Sequence, residues 1–203
     1  LAKLQILINS RLSTNEILRK TIHISGFLVP LIFVRFFNTY LVSISLFLVM
    51  IVYMTSEVAR KQGINFPLFS TVTRNATTSI FEINHFATAP ITFTLGIIIS
   101  LLIFPPPIAY AAIAVLTLGD GFANIFGRIF GKTPLSFNRK KTIEGTICGL
   151  ICAFLGTILF VNPIKSLIAV TIGMLAESLP LPMNDNLVIP LSSGISLTVF
   201  SLL

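Results

Sequence analysis

The chain has 203 residues, 54% of them hydrophobic and 10% charged, with a mean hydropathy of +0.94 and a formal net charge of +7. Soluble domains carry about 25% charged residues, so a soluble globule fits poorly and a polytopic membrane bundle fits well. The positive charge does not point to nucleic acid: there is no Lys/Arg-rich arm, and the basic residues are spaced between apolar runs as juxtamembrane anchors are.

In chain order, residues 1–22, "LAKLQILINSRLSTNEILRKTI", mix leucines with charges and predict an amphipathic segment lying at the interface. They contain no apolar core of the kind that a cleavable signal peptide needs, so none is expected. Apolar runs follow at about 24–37, 40–56, 86–104, 106–127, 143–161, 164–180 and 187–203. A helix of ~20 residues crosses the bilayer core. The expectation is therefore all-α: one domain over 1–203, with an interfacial segment at 1–22 and a bundle of about seven transmembrane helices at 24–203. Pro105, Pro106 and Pro107 force a turn between the third and fourth runs. Cys148 and Cys152 share one helix face and read as neither a disulfide nor a metal pair.

A cytoplasmic N-terminus puts all of the 14 basic residues except Arg35 and Lys165 on the cytoplasmic side. The same topology puts all seven Asp and Glu residues, with His23 and His85, on that side or in the cytoplasmic half of a span. Ionisable groups near hydrocarbon are costly and usually functional. The one-sided set therefore marks a polar site at the cytoplasmic face.

The densest stretch is "GDGFANIFGRIFGKTPLSFNRKKTIEGT", residues 119–146. Gly127 to Thr133 imitates a P-loop but has three residues between its glycines where the motif needs four. Asp120 stands at the cytoplasmic end of the fourth run, between Gly119 and Gly121, which let a ligand approach the backbone closely. Asn124 lies one turn on, on the same face. A carboxylate beside a carboxamide suits Mg²⁺, which completes its shell with water and phosphate oxygens. Arg139, Lys140 and Lys141 can neutralise a polyphosphate, and Thr142 with the helix start at 143–146 offers N–H groups to an anion.

Other residues keep two readings. Glu144 is a site carboxylate or a first-turn helix-dipole carboxylate. Glu57 and Arg60, at i and i+3, form an intrahelical pair or brace the site. Glu82 and His85 have Glu-x-x-His spacing, but a di-iron bundle needs a second such pair. Glu177 lies near a helix end, and Asp185 with Asn186 makes either a second metal or ribose contact or a turn. Gly145, Gly149, Ala153 and Gly156 line one face of the fifth run, either for helix packing or for sideways entry of a lipid chain.

The segments "LRKTIHISG", "SEVARKQG", "EINHFATAPITFTLG", "LGDGFANIFGRIFGK", "KKTIEGT" and "AESLPLPMNDNLVIPL" resemble, in this order, the polytopic CTP-dependent lipid kinases. That family includes dolichol kinase, phytol kinase and a CTP-using diacylglycerol kinase, and the resemblance covers about residues 18–195. It implies CTP as phosphoryl donor, Mg²⁺ as the metal and a lipid monophosphate as product. It implies that Asp120 holds the metal, with Glu144 and Asp185 completing that site, and that Asp120, Glu144 and His85 are the catalytic candidates. Gly119, Gly121, Asn124, Arg128, Lys132, Lys140, Lys141, Thr142, Gly145, Asp185 and Asn186 would form the nucleotide site. Arg19, Lys20, His23, Glu57, Arg60, Glu82, Asn84 and Glu177 would support it.

The long N-terminal extension of eukaryotic dolichol kinases has no counterpart here, which points to compact prokaryotic or phytol-kinase-like members and to C20 isoprenols. The expected partners are CTP, a lipid alcohol and the bilayer, without nucleic acid. The location would be a prokaryotic plasma membrane, or an ER or plastid membrane. The alternatives are a CTP-dependent diacylglycerol kinase, a phosphatidate cytidylyltransferase-like CDP-lipid synthase and, outside enzymes, a small-solute transporter.

Overall fold

The computed structural model describes residues 14–64 and 86–202. Among them it forms seven helical segments and no strand: α1 (Thr14–Phe36), α2 (Thr39–Lys61), α3 (Ala89–Ile103), α4 (Pro106–Phe130), α5 (Ile143–Thr157), α6 (Pro163–Ser178) and α7 (Asp185–Leu202). Each expected apolar run is found as a helix. The four segments α1, α2, α4 and α7 are long and apolar enough to cross a membrane, and α3 and α5 are shorter apolar helices. At 1.5 Å per residue, a 15-residue helix such as α3 or α5 reaches about 22 Å, short of the ~30 Å hydrocarbon core.

Loop residues set where the helices begin. Asn38, Thr142 and Asn162 stand at the starts of α2, α5 and α6, and their side chains accept from the N–H of Tyr40, Gly145 and Lys165 at 3.0, 3.3 and 2.9 Å. Pro105 to Pro107 open α4, where a missing N–H costs nothing.

The expected break after residue 22 is not found. The helix that starts at Thr14 continues through a turn at Gly26–Phe27 and a π-helical stretch, Val29–Phe33, to Phe36. Residues 14–22 are therefore the first turns of a membrane-length helix, because their amphipathic face packs on α4. Residues 1–13 of the expected interfacial segment lie outside the described residues.

The bundle is built around α4. Of its most apolar window, 67% is buried inside the protein, against 17% for α1 and 28% for α2 and α7. Ile113 and Leu116 of α4, Ala153 of α5, Met174 of α6 and Ile189 and Leu197 of α7 form the interior. In contrast, Tyr40, Leu41, Ile44, Leu48 and Val52 of α2 are exposed. A contiguous apolar surface of this kind requires a non-aqueous neighbour, which the bilayer supplies.

The α4–α5 crossing is a glycine seam. A Cβ on Gly145 would stand 2.5 Å from the Ala123 carbonyl oxygen, and one on Gly149 would stand 2.6 Å from that of Gly119. The two backbones touch, so this face of α5 packs on α4 and the lipid-entry reading of Gly145, Gly149, Ala153 and Gly156 is not supported: Gly156 is closed by Leu118 and Phe27. Several buried hydroxyls are satisfied along their own helices, as in Ser100 to Gly96 O at 2.7 Å and Thr117 to Ile113 O at 2.8 Å, and Ser193 Oγ donates across helices to Ala169 O at 3.1 Å.

Candidate active site

The up-and-down order brings the starts of α1, α5 and α7 and the ends of α4 and α6 to one end of the bundle. Arg35 and Lys165 lie toward the other, where Lys165 Nζ donates to Ser201 Oγ at 2.9 Å. The polar cluster at the first end is centred on Asp120, which is 5% exposed.

Asp120 is not at the helix end. Helix α4 runs ten residues further, over Gly121–Phe130, so the carboxylate lies about 15 Å inside it. The turn that delivers it, Val115–Asp120, is π-helical. Such wide turns cluster at functional sites because they re-aim the side chains that follow. His23 is tied to this turn: its Nε2–H lies 3.1 Å from the Leu116 carbonyl oxygen and 3.3 Å from Asp120 Oδ2. The imidazole also packs on Phe93, with ring centroids 4.3 Å apart.

Each oxygen of Asp120 has a donor. Lys20 Nζ donates to Oδ2 at 3.2 Å, and Asn124 Nδ2 donates to Oδ1 at 2.7 Å and to the Asp120 backbone oxygen at 2.8 Å. Lys141 Nζ stands 3.9 Å from Oδ1. The Lys141 ammonium is also paired with Glu177 Oε1 and lies 3.3 Å from Asp185 Oδ2. Burial works to lower the Lys141 pKa, but the facing carboxylates of Glu177, Asp120 and Asp185 more than offset it. The ammonium is held above its ordinary value and stays charged at neutral pH.

A cavity of about 100 Å³ opens beside this cluster, with Asn124, Arg128, Lys140, Lys141, Thr142, Thr146 and Glu177 in its wall. Among the described residues, two buried side-chain oxygens, Thr146 Oγ1 and Glu177 Oε2, have no hydrogen-bond partner. Buried polar atoms without partners are rare in folded proteins. Orphaned oxygens beside a cationic wall suit a ligand that brings cations and anions together, such as a metal-bound phosphate. As arranged, however, no three His, Cys, Asp or Glu side chains among the described residues form a ready metal cage.

Several sequence expectations are placed elsewhere. The Glu144 carboxylate accepts from Thr133 N at 3.1 and 3.3 Å and from Thr133 Oγ1 at 3.0 Å. It clips the 131–142 loop to the start of α5 and is not brought to Asp120, because a residue in this position points along the loop. Gly119 is covered by Met174, and Gly121 by Ile24, so these glycines, with Gly145, serve helix contact and do not face a ligand. Asn186 Nδ2 donates to Thr92 Oγ1 at 3.1 Å, tying α7 to α3 away from the cavity. Lys132 is exposed and outside the cavity wall. Arg128 is in the wall and pairs with Glu16. Arg19 is half-buried on the same turn of α1 as Lys20. Glu57 and Arg60 pair within α2. Glu82, Asn84 and His85 lie outside the described residues.

Lys20, His23 and Glu177, expected only as support, touch the central group or its lysine. Thr146 was expected only through its backbone, in the helix start at 143–146, and its side chain was not singled out. The only sequence signal for it was its position one turn after Thr142 on α5.

Sequence comparison adds an independent line. Over 68 residues the chain is 40% identical to the probable phytol kinase 2, chloroplastic, of Glycine max, covering 32% of this chain and 23% of that protein. Over 106 residues it is 33% identical to the farnesol kinase, chloroplastic, of Arabidopsis thaliana, covering 44% and 34%. Over 123 residues it is 28% identical to phytol kinase 1, chloroplastic, of Arabidopsis thaliana, covering 51% and 40%. The chain is a sequence relative of phytol and farnesol kinases. The resemblance read from the motifs thus holds, over matches that span less than half the length of these relatives. No protein-family model matches the chain, and no solved structure does.

Proposed function

We propose that this protein is a membrane kinase that transfers the γ-phosphoryl group of CTP to the hydroxyl of an isoprenoid alcohol at the cytoplasmic face of its membrane. The observation that carries this reading is the recessed Asp120–Lys141 cluster, whose adjoining cavity has a cationic wall at one end of an apolar bundle. The named relatives act on isoprenoid alcohols by their names, phytol and farnesol kinase, which supports the acceptor class. The choice of CTP rests on the family resemblance.

Phosphoryl transfer asks the protein mainly for positioning and charge stabilisation. Lys140, Lys141 and Arg128 face the cavity and are assigned to the phosphates. The Thr146 hydroxyl can donate to a phosphate oxygen, which ends its lack of a partner. Asp120 and Asp185 are the carboxylates assigned to Mg²⁺, which when bound neutralises charge on the phosphates. In the reaction the alcohol oxygen bonds to the γ-phosphorus, the bond from that phosphorus to the β–γ bridging oxygen breaks, CDP departs and the hydroxyl proton is lost. The acceptor hydroxyl must reach the level of Asp120 while its tail stays in hydrocarbon, which a long single-chain alcohol can do.

The test is purified protein in detergent with γ-labelled or α-labelled CTP and a panel of lipid alcohols. Label should pass to lipid from γ-labelled CTP only, and a C20 isoprenol should outcompete diacylglycerol in the same micelles. Transfer of α-label would mean a CDP-lipid synthase, and preferential labelling of diacylglycerol would replace the acceptor.

A further inference from the structure

Three carboxyl groups on three different helices converge on one ammonium. Lys141 Nζ pairs with Glu177 Oε1 of α6, lies 3.3 Å from Asp185 Oδ2 of α7, and stands 3.9 Å from Asp120 Oδ1 of α4, beyond hydrogen-bond reach. The three acids are fixed on helices. The lysine is not: it lies on the loop between α4 and α5, at the end of a flexible four-carbon stem.

Glu177 supplies the second observation. It is 1% exposed and borders the cavity, yet its Oε2 receives no hydrogen bond among the described residues. A buried carboxylate with an unserved oxygen is costly, and the Lys141 ammonium, bonded to Glu177 Oε1 and Asp185 Oδ2, does not reach it. A hard divalent cation with six oxygen ligands at about 2.0–2.1 Å would draw these carboxylates in and use that oxygen. Among the described residues no three such side chains stand ready to hold a metal as arranged, so the acids must close in when it enters.

We propose that the position of the Lys141 ammonium is a divalent-cation seat formed by Asp120, Glu177 and Asp185, which Lys141 fills until Mg²⁺ displaces it towards the cavity and Lys140. This deepens the metal assignment above and rests on it: Glu177 takes the place in the metal set that Glu144 was expected to hold. Release frees the Lys141 charge, already in the cavity wall, from the three acids, so it turns to the phosphates as the metal enters.

The first measurement uses the unsubstituted protein in neutral detergent, with Mg²⁺ alone and no nucleotide. Acetylation by an amine-reactive reagent is followed at each lysine by mass spectrometry. Mg²⁺ should raise the labelling rate of Lys141 severalfold and leave Lys165, towards the other end of the bundle, unchanged.

The second measurement is Mn²⁺ binding by electron paramagnetic resonance. Losing even an outer partner of a metal ligand costs 10- to 100-fold in affinity, so removing a plug or a ligand should move it by about tenfold or more. Lys141→Met should tighten Mn²⁺ binding by that factor, and adding Asp185→Asn or Glu177→Gln should abolish the gain. Unchanged or slower labelling of Lys141 with Mg²⁺ overturns the proposal. So does a gain in Mn²⁺ affinity that survives both carboxylate substitutions. Phosphoryl transfer from CTP, measured on the same preparation, separates the two readings. Transfer without metal-driven release of Lys141 removes this inference and keeps the kinase. Release without transfer to any lipid alcohol keeps the seat and removes the kinase.

Discussion

Glu57 on α2 and Glu177 on α6 are both buried to 1% exposure, yet their surroundings differ in kind. Arg60 grips Glu57 with two parallel bonds, Nε to Oε1 at 3.0 Å and Nη2 to Oε2 at 2.9 Å, and the Ala87 N–H donates to Oε2 at 3.2 Å. Every oxygen is served, by a partner one helical turn away and by a backbone group ahead of α3. Glu177 shares a lysine from a distant loop with two other acids, and one of its oxygens has no partner among the described residues. Burial is therefore the same at a brace and at a site. What separates them is whether the polar groups are already satisfied within the protein.

The comparison can be tested by removing its parts in turn. Asp120→Asn has the largest expected effect: phosphoryl transfer should fall about 10²- to 10³-fold, the scale of losing one electrostatic contact to reacting groups, while the protein remains folded and extractable. Near-normal turnover of the folded variant would move Asp120 into the class of Glu57.

Glu57→Gln should do the reverse. It removes the charge from a buried carboxylate that accepts three hydrogen bonds, and a hydrogen bond to a charged group contributes about 1.5–3 kcal/mol. The melting temperature in detergent should drop while the transfer rate per folded molecule holds. A loss of transfer at unchanged melting temperature would erase the distinction drawn here.

Changing Lys140 and Lys141 together to Ala should weaken CTP binding by roughly tenfold or more, since a charge-assisted hydrogen bond contributes about 1.5–3 kcal/mol. The measurement belongs in neutral detergent, because attraction to anionic lipid would itself supply about 1 kcal/mol per lysine. Unchanged CTP affinity there would make these residues surface anchors.

The smallest effect is expected from Glu144→Gln. The amide oxygen can still accept from Thr133, so melting should barely shift, with transfer changed only marginally. A loss on the scale of Asp120→Asn would return Glu144 to the metal set.

The site was only partly legible beforehand. Asp120, Asn124, Lys141 and Asp185 were readable because polar residues stand out between apolar runs and because their motif order resembles a known family. The rank of their neighbours was not. Lys20 and His23 are about a hundred positions from Asp120 in the chain, and their contact with it depends on how α1 crosses α4. Glu144 and Glu177 exchanged importance for a similar reason: both lie near helix ends, and only the direction of each side chain decides which one reaches the ammonium of Lys141.

The sequence by itself determined the order of the apolar helices among the described residues, the capping residues that start several of them and the crowding of charge toward one end. Those features are local, and the cost of burying charge or backbone in hydrocarbon imposes them segment by segment. Tertiary structure decided which face of each helix turns inward. In a membrane bundle the lipid-facing and interior surfaces are both apolar, so the periodicity that reveals a buried face in a soluble helix is weak. The π-helical turn before Asp120 compounds this, because it shifts the face of everything that precedes it relative to the residues after it. The glycine seam between α4 and α5 then fixes how closely Asp120 and the Lys141 loop approach, a distance set by two backbones in contact.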